Sequence, residues 1–442
     1  MKYWSERLWE LRRYPSALLG MAIILFLVVL SIVTVIAIPY DEAIERWRGG
    51  DYWRMHPRNA EPLWLDLLKG GNKPKTLIIS SRDVEVESVT FSGGKRLKIP
   101  LHFDFDFSEF PSEINLFLRV ENHAREPFAR LTWHTPDSRE IPLGGRRITA
   151  NDRFSISQDW ALERRLGRTP HVGLLTHPDT ELPQVLPGRY TLMLDAVLFD
   201  EAAEITAELV IYGRVHGLAG TDHQRRDLLL ALLWGTPIAL AFGLLAAVGT
   251  TLTTLVIAAA GVWFGGRLDA AIQRLTEINM ILPLLPILVM VGTLYSTSIW
   301  LMLGVVVLLG IFSASAKMYR AMLLPIRESP YIQAAQAYGA GNTRIILHYL
   351  VPRILPVLIP TFVTLIPAFV FLEASLAVLG LGDPVLPTWG KVLNDAQNES
   401  ALYNHYYYWV IAPALLLMLT GLGFALLGFA LDRVFNPRLR RI

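Results

Sequence analysis

The sequence predicts an α-helical polytopic membrane protein with six transmembrane helices, interrupted by an inserted extracytoplasmic domain of β-sandwich type. Three observations carry this. Five segments contain no Asp, Glu, Lys or Arg: Tyr14–Tyr40, Leu228–Gly266, Ile278–Ala316, Ile354–Leu372 and Ser400–Leu431. Both ends of the chain are basic, with Lys2, Arg7, Arg12 and Arg13 at one and Arg433, Arg438, Arg440 and Arg441 at the other. Between the first and second apolar segments lies a long stretch rich in charge of both signs, Asp41 to Arg226.

A helix crosses the hydrocarbon core with roughly 20 apolar residues, so each uncharged segment is long enough. Hydrophobic residues make up 52% of the chain, above the usual content of soluble proteins, and they are clumped. The formal net charge of +2 gives no reason to expect a nucleic-acid partner. The chain has no cysteine, which removes disulfide and thiol chemistry and leaves the compartment open.

Ile278–Ala316 is about twice a spanning length, and the polar run Tyr295-Ser296-Thr297-Ser298 divides it into two helices. Leu228–Gly266 is as long, but its start contains Gly235 and Pro237 and reads as a stretch lying along the interface. Short basic flanks stay in the cytoplasm, so both termini are expected inside and the number of spans is even, which selects six. Lys317, Arg320, Arg327, Arg344 and Arg353 against Glu328 place the loop between the fourth and fifth spans inside. Glu373, Asp383, Asp395 and Glu399 against Lys391 place the next loop outside. Glu373 falls at the outer end of the fifth span and is expected to be solvated. The first span is too long for the apolar core of a signal peptide and lacks a clear small-x-small cleavage site.

Asp41 to Gly71 reads as a partly helical lead-in, with Pro62-Leu63-Trp64-Leu65 touching the membrane surface. From about Thr76 to Tyr212, LKIPLHFDFDF, INLFLRV, RYTLMLDAVLF and ITAELVIYG read as strands, the first two by alternation. Ser92-Gly93-Gly94, Gly144-Gly145 and Pro187-Gly188 read as turns between them. A spacing or stabilising domain is the favoured account of this β-sandwich, and a docking platform for an external partner is the alternative.

The most informative segment is Tyr331 to Pro356, a Gly-punctuated island between apolar runs. Ser329 followed by Pro330 is a helix start, with Ser as the expected cap and Pro at the first helical position. Gln333, Ala334 and Ala335 favour helix, and the two alanines allow another surface to approach. Gly339 fits the left-handed residue that ends a helix. Asn342 or Thr343 then caps a second helix beginning with Arg344. By shape alone this is either an ordinary interfacial helix or a docking surface for a partner.

The segment resembles the EAA loop of permease subunits in binding-protein-dependent ABC importers, whose Glu-Ala-Ala, three residues and Gly correspond to Gln333, Ala334, Ala335 and Gly339, with Pro352 closing the pattern. Gln333 departs from the Glu of the motif. Other segments resemble the peptide/nickel class of the same family, of the dipeptide/oligopeptide permease type. They are RRYPSALLGMAIILFLVVL with Pro39-Tyr40-Asp41, Gly220-Thr221-Asp222, Arg226-Asp227, Phe264-Gly265-Gly266 with Leu268-Asp269, LGLGDPVLPTWGKVL and FNPRLRR. Arg225 stands where the family has Gly.

The resemblance implies a transport subunit of the cytoplasmic (inner) membrane of a bacterium or archaeon, not an enzyme, moving oligopeptides or similar small solutes. It implies four kinds of partner: a second homologous permease subunit, two cytoplasmic ABC ATPase subunits, an extracytoplasmic solute-binding protein and the lipid bilayer. ATP and Mg are used by the ATPase subunits, and this chain binds no cofactor. The domain plan is a cytoplasmic N-terminus and first span over 1–40, an extracytoplasmic domain over 41–226, and a five-helix permease domain over 227–442. Its coupling loop runs over about 317–353, with Ser329, Pro330, Gln333, Ala334, Ala335, Gly339 and Arg344 as the ATPase-coupling residues.

The residues themselves agree that energy comes from elsewhere: GGNKPKT at Gly70–Thr76 is the nearest approach to a phosphate-binding loop, and Pro74 stands where Gly is required. Pro352, Pro356 and Pro360 share one face of the fifth span and either line a translocation path or kink a packing helix. His348 and His405 are isolated, which favours peptides over nickel. A membrane-anchored receptor or scaffold displaying the β domain is the alternative function.

Overall fold

A computed structural model describes residues 11–91, 93–122, 125–178 and 182–435. Ser92 of the first predicted turn, Lys2, Arg7 and the C-terminal FNPRLRR beyond Phe435, with Arg438, Arg440 and Arg441, lie outside the described residues. The chain divides into two compact units, one joining Met1–Arg48 to Leu230–Ile442 and the other comprising Gly49–Leu229.

The first unit is helical. Helix α1 (Pro15–Ala37) buries Ala17, Gly20, Leu27 and Thr34, a narrow stripe at three- and seven-residue spacing. Many of its other apolar residues, such as Leu25 and Ile36, are exposed, as lipid-facing side chains are. Helix α2 (Leu228–Phe264) is continuous through Gly235 and Pro237, so its start is not the separate interfacial stretch that those residues suggested. Its 37 residues rise roughly 55 Å, well beyond the ~30 Å hydrocarbon core.

The next two apolar stretches are each bent. Helix α3 (Gly266–Ile281) meets α4 (Leu284–Leu294) at 79°, and α5 (Ile299–Ile311) meets α6 (Ala314–Arg327) at 42°. The first bend follows from Pro283: the residue before a proline avoids helical geometry, and Leu282 is extended at ψ 127°. Beside the second bend, the Asn279 amide donates to the carbonyls of Leu309 (2.8 Å) and Phe312 (2.9 Å), satisfying acceptors near the end of α5. The polar turn at Tyr295–Ser298 does separate α4 from α5.

Helix α7 (Pro330–Ala337) follows, then a short turn at Asn342–Ile345, a π-helical turn at Ile346–Leu350 and α8 (Val351–Leu376). The wide turn stands just ahead of Pro352, whose ring cannot sit against an ordinary helical carbonyl. Helix α9 (Trp389–Asn398) and α10 (Tyr407–Phe435) complete the unit. Among the described residues four helices are long and apolar enough to cross a membrane, and up to six if each bent pair is one span. Helices α1 and α10 approach through glycine: a side chain at Gly20 would stand 2.8 Å from the Gly423 carbonyl oxygen. Small residues at such a crossing let two backbones pack closely in lipid.

The second unit is built on two antiparallel sheets. Strands β1 (Leu77–Ser80), β4 (Glu113–Glu121), β7 (Asn151–Ser155) and β9 (Glu204–Tyr212) form one, in the order β1-β9-β4-β7. Strands β2 (Glu87–Phe91), β3 (Gly94–Phe105), β5 (Phe128–His134), β6 (Glu140–Arg147) and β8 (Gly188–Leu198) form the other, in the order β2-β3-β8-β5-β6.

Alternation explains the core. Leu97, Ile99, Leu101, Phe103 and Phe105 of β3 share it with Ile114, Leu116, Leu118 and Val120 of β4 and with alternate residues of β8 and β9. The strand over 128–134 escaped the sequence reading although Ala129, Leu131 and Trp133 alternate inward. Gly144-Gly145 is not a turn. It lies inside β6, where Leu131 pairs with Gly144 and Thr132 with Pro142, so Leu143 is the extra residue of a bulge.

Two histidines make this unit sensitive to acid. The His56 and His216 ring centroids lie 4.2 Å apart, with the rings tilted by 44°. Burial first, and then the neighbouring His216, pushes the His56 pKa down to about 4; burial lowers His216 as well, against the opposing pull of Asp227. Their unfolded values lie near 6.5, so neutral rings contribute stability that is complete above that pH and declines as pH falls toward 4. Solvent screening at these partly exposed sites reduces the loss to about 1–2 kcal/mol. Hydrogen exchange of the β4 and β9 amides in the detergent-solubilised chain is expected to accelerate between pH 6.5 and 4.5. His56→Gln should flatten that dependence, and an unchanged slope would refute the assignment.

Candidate functional site

The island between α6 and α8 has two faces. On α7, Ile332 and Ala335 are buried, whereas Tyr331, Gln333, Ala334, Gln336 and Ala337 are exposed and Tyr338 is 93% exposed. Ile332 and Ala335 are three residues apart and so lie on one side of the helix. Ile332 enters a core with Leu255, Ala258, Ala259 and Val262 from the end of α2, Tyr319 and Leu323 from α6, and Ile354 and Leu358 from α8. Displacing α7 therefore displaces a core shared by three long helices.

The ends of α7 are set by backbone geometry. Pro330 occupies the first turn, where a missing N–H costs nothing. The Ser329 side chain does not cap the helix as expected; its hydroxyl donates to the Pro325 carbonyl at 3.2 Å. At the other end Gly339 takes φ +78°. The Gly339 N–H donates to the Gln336 carbonyl (2.9 Å) and the Ala340 N–H to the Ala335 carbonyl (3.0 Å), the paired bonds of a Schellman motif. The second helix starts at Asn342 with Gly341 preceding it, so neither Asn342 nor Thr343 serves as the side-chain cap.

The expected contact residues are not equivalent. Gln333 and Ala334 face outward, but Ala335 packs against its own chain, which corrects the expectation that both alanines offer a surface to a partner. Arg344 is exposed and meets no carboxylate among the described residues. Arg327 donates to the Val262 carbonyl at 3.1 Å, which ties α6 to the end of α2. Arg353 lies 6.0 Å from the Tyr331 ring centroid. Arg320 of α6 grips Asp269 of α3 through two hydrogen bonds of 2.8 and 2.6 Å. Of the three prolines, Pro352 is exposed, Pro356 is half-buried and Pro360 is buried.

Further along, LGLGDPVLPTWGKVL folds back on the bundle. Gly380 takes φ +84°, the Asp383 carboxylate accepts from the Val385 N–H (3.0 Å), and Thr388 caps α9 by accepting from the Lys391 N–H (3.2 Å). Trp389 Nε1 donates to the Leu232 carbonyl at 2.9 Å, and its ring fills the space that Gly235 leaves open. The fold-back also buries Glu373, whose carboxyl meets the Thr388 side chain, so Glu373 is not the solvated boundary residue expected from its position.

Comparison with known proteins bears on this geometry directly. Residues 239–441 match the family described as binding-protein-dependent transport system inner membrane component. The chain is 31% identical over 229 residues to the glutathione transport system permease protein GsiD of Pectobacterium atrosepticum, covering 50% of this chain and 72% of that protein. It is 29% identical over 223 residues to the dipeptide transport system permease protein DppC of Bacillus subtilis, covering 50% and 69%. It is 27% identical over 224 residues to the oligopeptide transport system permease protein OppC of the same organism, covering 50% and 72%. The chain belongs to this family. Within it, the chain is an ABC importer permease of the peptide/nickel class.

The permease's departure from the family's Gly at Arg225 has a physical account. Arg225 holds φ +68°, a left-handed conformation that Gly enters freely and that costs another residue about 1–2 kcal/mol. Its guanidinium pairs with Glu113 of β4, lies 4.2 Å from the Tyr212 ring of β9 and donates to the His56 carbonyl at 2.7 Å. Charge-assisted hydrogen bonds of this kind offset the strain. Nearby, the Thr221 hydroxyl donates to the Pro57 carbonyl (2.8 Å) and accepts from the Ala60 N–H (3.0 Å), while Arg226 pairs with buried Asp222. The elements that resemble the family's approach to its second span are thus fastened into the sheet-rich unit.

Proposed function

We propose that this permease is one of two membrane subunits of an importer that moves oligopeptides or similar small solutes across the cytoplasmic membrane. It pairs with a second, homologous permease subunit and receives solute from an extracytoplasmic binding protein. Two ABC ATPase subunits hydrolyse ATP, with Mg, and their motion enters through α7. Each bent helix pair counts as one span, giving six, with both termini in the cytoplasm and Gly49–Leu229 outside.

The two-faced burial of α7 carries this reading. An eight-residue helix with an exposed Gln-Ala, Gln-Ala-Tyr face and an inner face seated on α2, α6 and α8 fits a lever between a partner's groove and the spanning helices. Coupling between two states needs contacts that differ between them, and a helix seated on a shared core supplies a place for that difference. The names of relatives, which are dipeptide, oligopeptide and glutathione permeases, support this choice of substrate class.

The cysteine-free sequence makes a clean test possible. Tyr338→Cys is expected to cross-link to an ATPase subunit in native membranes, and Val89→Cys, on an exposed strand, to react with a membrane-impermeant maleimide in intact spheroplasts. Cross-linking at Val89 instead, or its labelling only after lysis, would reverse the topology.

A further inference from the structure

The sheet-rich unit carries a cleft of about 460 Å³ that the transport reading leaves unused. Its floor is the outer face of the β1-β9-β4-β7 sheet, where Phe117 of β4 lies between Arg153 of β7 and Glu208 of β9 in one cross-strand row. Arg119 lies two residues further along β4, opposite Asn151 and Thr206, while Arg54, Asp51 and Arg82 reach in from outside the sheet. Small-molecule sites are typically about 300–1,000 Å³, with few, convergent polar groups, and this cleft falls in that range.

Charge pairing inside it is incomplete. Arg54 meets Glu208 at 3.4 Å, Arg119 meets Glu121 at 2.9 Å, and Asp152 meets Arg146 at 3.4 Å. Arg82 and Arg153 meet no carboxylate among the described residues, although Arg153 donates to the Asn115 amide oxygen at 3.0 Å, and the Asp51 carboxylate meets no cation among them. Arg54 and Arg153 lie 5.4 and 5.7 Å from the same Phe117 ring centroid, so two like charges share one aromatic surface. Glu208 already meets Arg54, whereas Arg153 has no such partner, and a guanidinium presents the planar fork that a carboxylate fits.

We propose that this cleft binds a short peptide, with the peptide carboxylate on Arg82 and Arg153 and its ammonium toward Asp51. The choice of a peptide rests on the transport reading above; the choice of a carboxylate rests on two guanidiniums that have no carboxylate partner among the described residues. Phe117 forms an apolar floor between the charged ends. The site would hold solute on the same side as the binding protein and supply the added domain with a recognition role.

The test is equilibrium titration of the full chain in nanodiscs, without ATPase subunits, with the tripeptide Ala-Ala-Ala. Saturable binding is expected. C-terminal amidation should weaken it at least about tenfold, as should Arg153→Gln or Arg82→Gln, because each removes a charge-assisted hydrogen bond. N-acetylation should weaken binding less, and Lys98→Gln, in the other sheet, should leave it unchanged. Arg82 and Arg153 are exposed, so both variants are expected to fold, which an unchanged melting curve would verify. Absence of saturable binding, or equal binding of the amidated peptide, overturns the site. Because no ATPase is present, that failure is distinct from loss of the Tyr338 cross-link, which would instead strike the transport reading.

Discussion

Arginine at Ala334 is expected to separate the permease from its ATPase subunits while leaving its own fold intact, whereas arginine at Ala335 unseats α7. The two residues are adjacent in sequence on an eight-residue helix but differ in burial, one exposed and one 8% exposed. A guanidinium at 334 projects into the space a partner would occupy and should cut ATPase co-purification by at least about tenfold, a loss of 1.4 kcal/mol or more in affinity. A guanidinium at 335 has to enter the side of α7 that faces its own chain. A buried charge without a partner costs about 3–5 kcal/mol, enough to lower the melting temperature of the solubilised chain visibly. Tryptophan fluorescence during heating, run beside the pull-down, separates the two outcomes. If Ala334→Arg still retains ATPase at full occupancy, α7 is not the docking element.

Charge reversal across α3 and α6 should be the second large effect. Asp269 and Arg320 are joined by two hydrogen bonds at 18% and 32% side-chain exposure, and α6 also lines the core on which α7 rests. Arg320 and Ile332 both bear on α6, because Tyr319 and Leu323 of α6 line that core. Either Asp269→Arg or Arg320→Asp alone places like charges face to face, and uptake into proteoliposomes is expected to fall about tenfold. ATP hydrolysis should fall much less, since neither residue reaches the outer face of α7. The swapped double variant should recover most of the uptake. A coupling energy of about 1–2 kcal/mol is expected after screening by solvent. Purely additive effects of the two changes would mean that the pair only decorates the surface.

Much of the helical unit is legible in sequence because it follows from local rules. Uncharged segments of spanning length, Pro330 at a helix start and Gly339 at a helix end act over a few residues and were readable from those residues. The different burial of Ala334 and Ala335 was readable too: Ile332 and Ala335 are spaced as one helical face, and the apolar Ile332 marks which face is inner. Strand β5 was legible on the same grounds, from the alternation of Ala129, Leu131 and Trp133. The bends at Leu282-Pro283 and Phe312-Ser313 were legible only in part, since a proline says where a helix is weak but not the angle its neighbours impose.

Glu373, Arg225 and the arginine cleft lie beyond that range. Glu373 is buried because Gly380 turns the chain and brings Thr388 back against α8. Arg225 tolerates a left-handed backbone because Glu113 and Tyr212, each distant in sequence, converge on its guanidinium. Arg54, Arg82, Arg119 and Arg153 lie on separate segments; strand pairing sets Arg119 of β4 beside β7, which carries Arg153, and sets β1, just ahead of Arg82, beside β9. The sequence by itself determined which segments are apolar enough to span, where helices begin and end, and which family the membrane part joins, since these depend on composition and short-range spacing. Tertiary structure alone decided which charges are paired and which are left open, because the energy of a charge is set by neighbours that only the folded chain brings within a few ångströms.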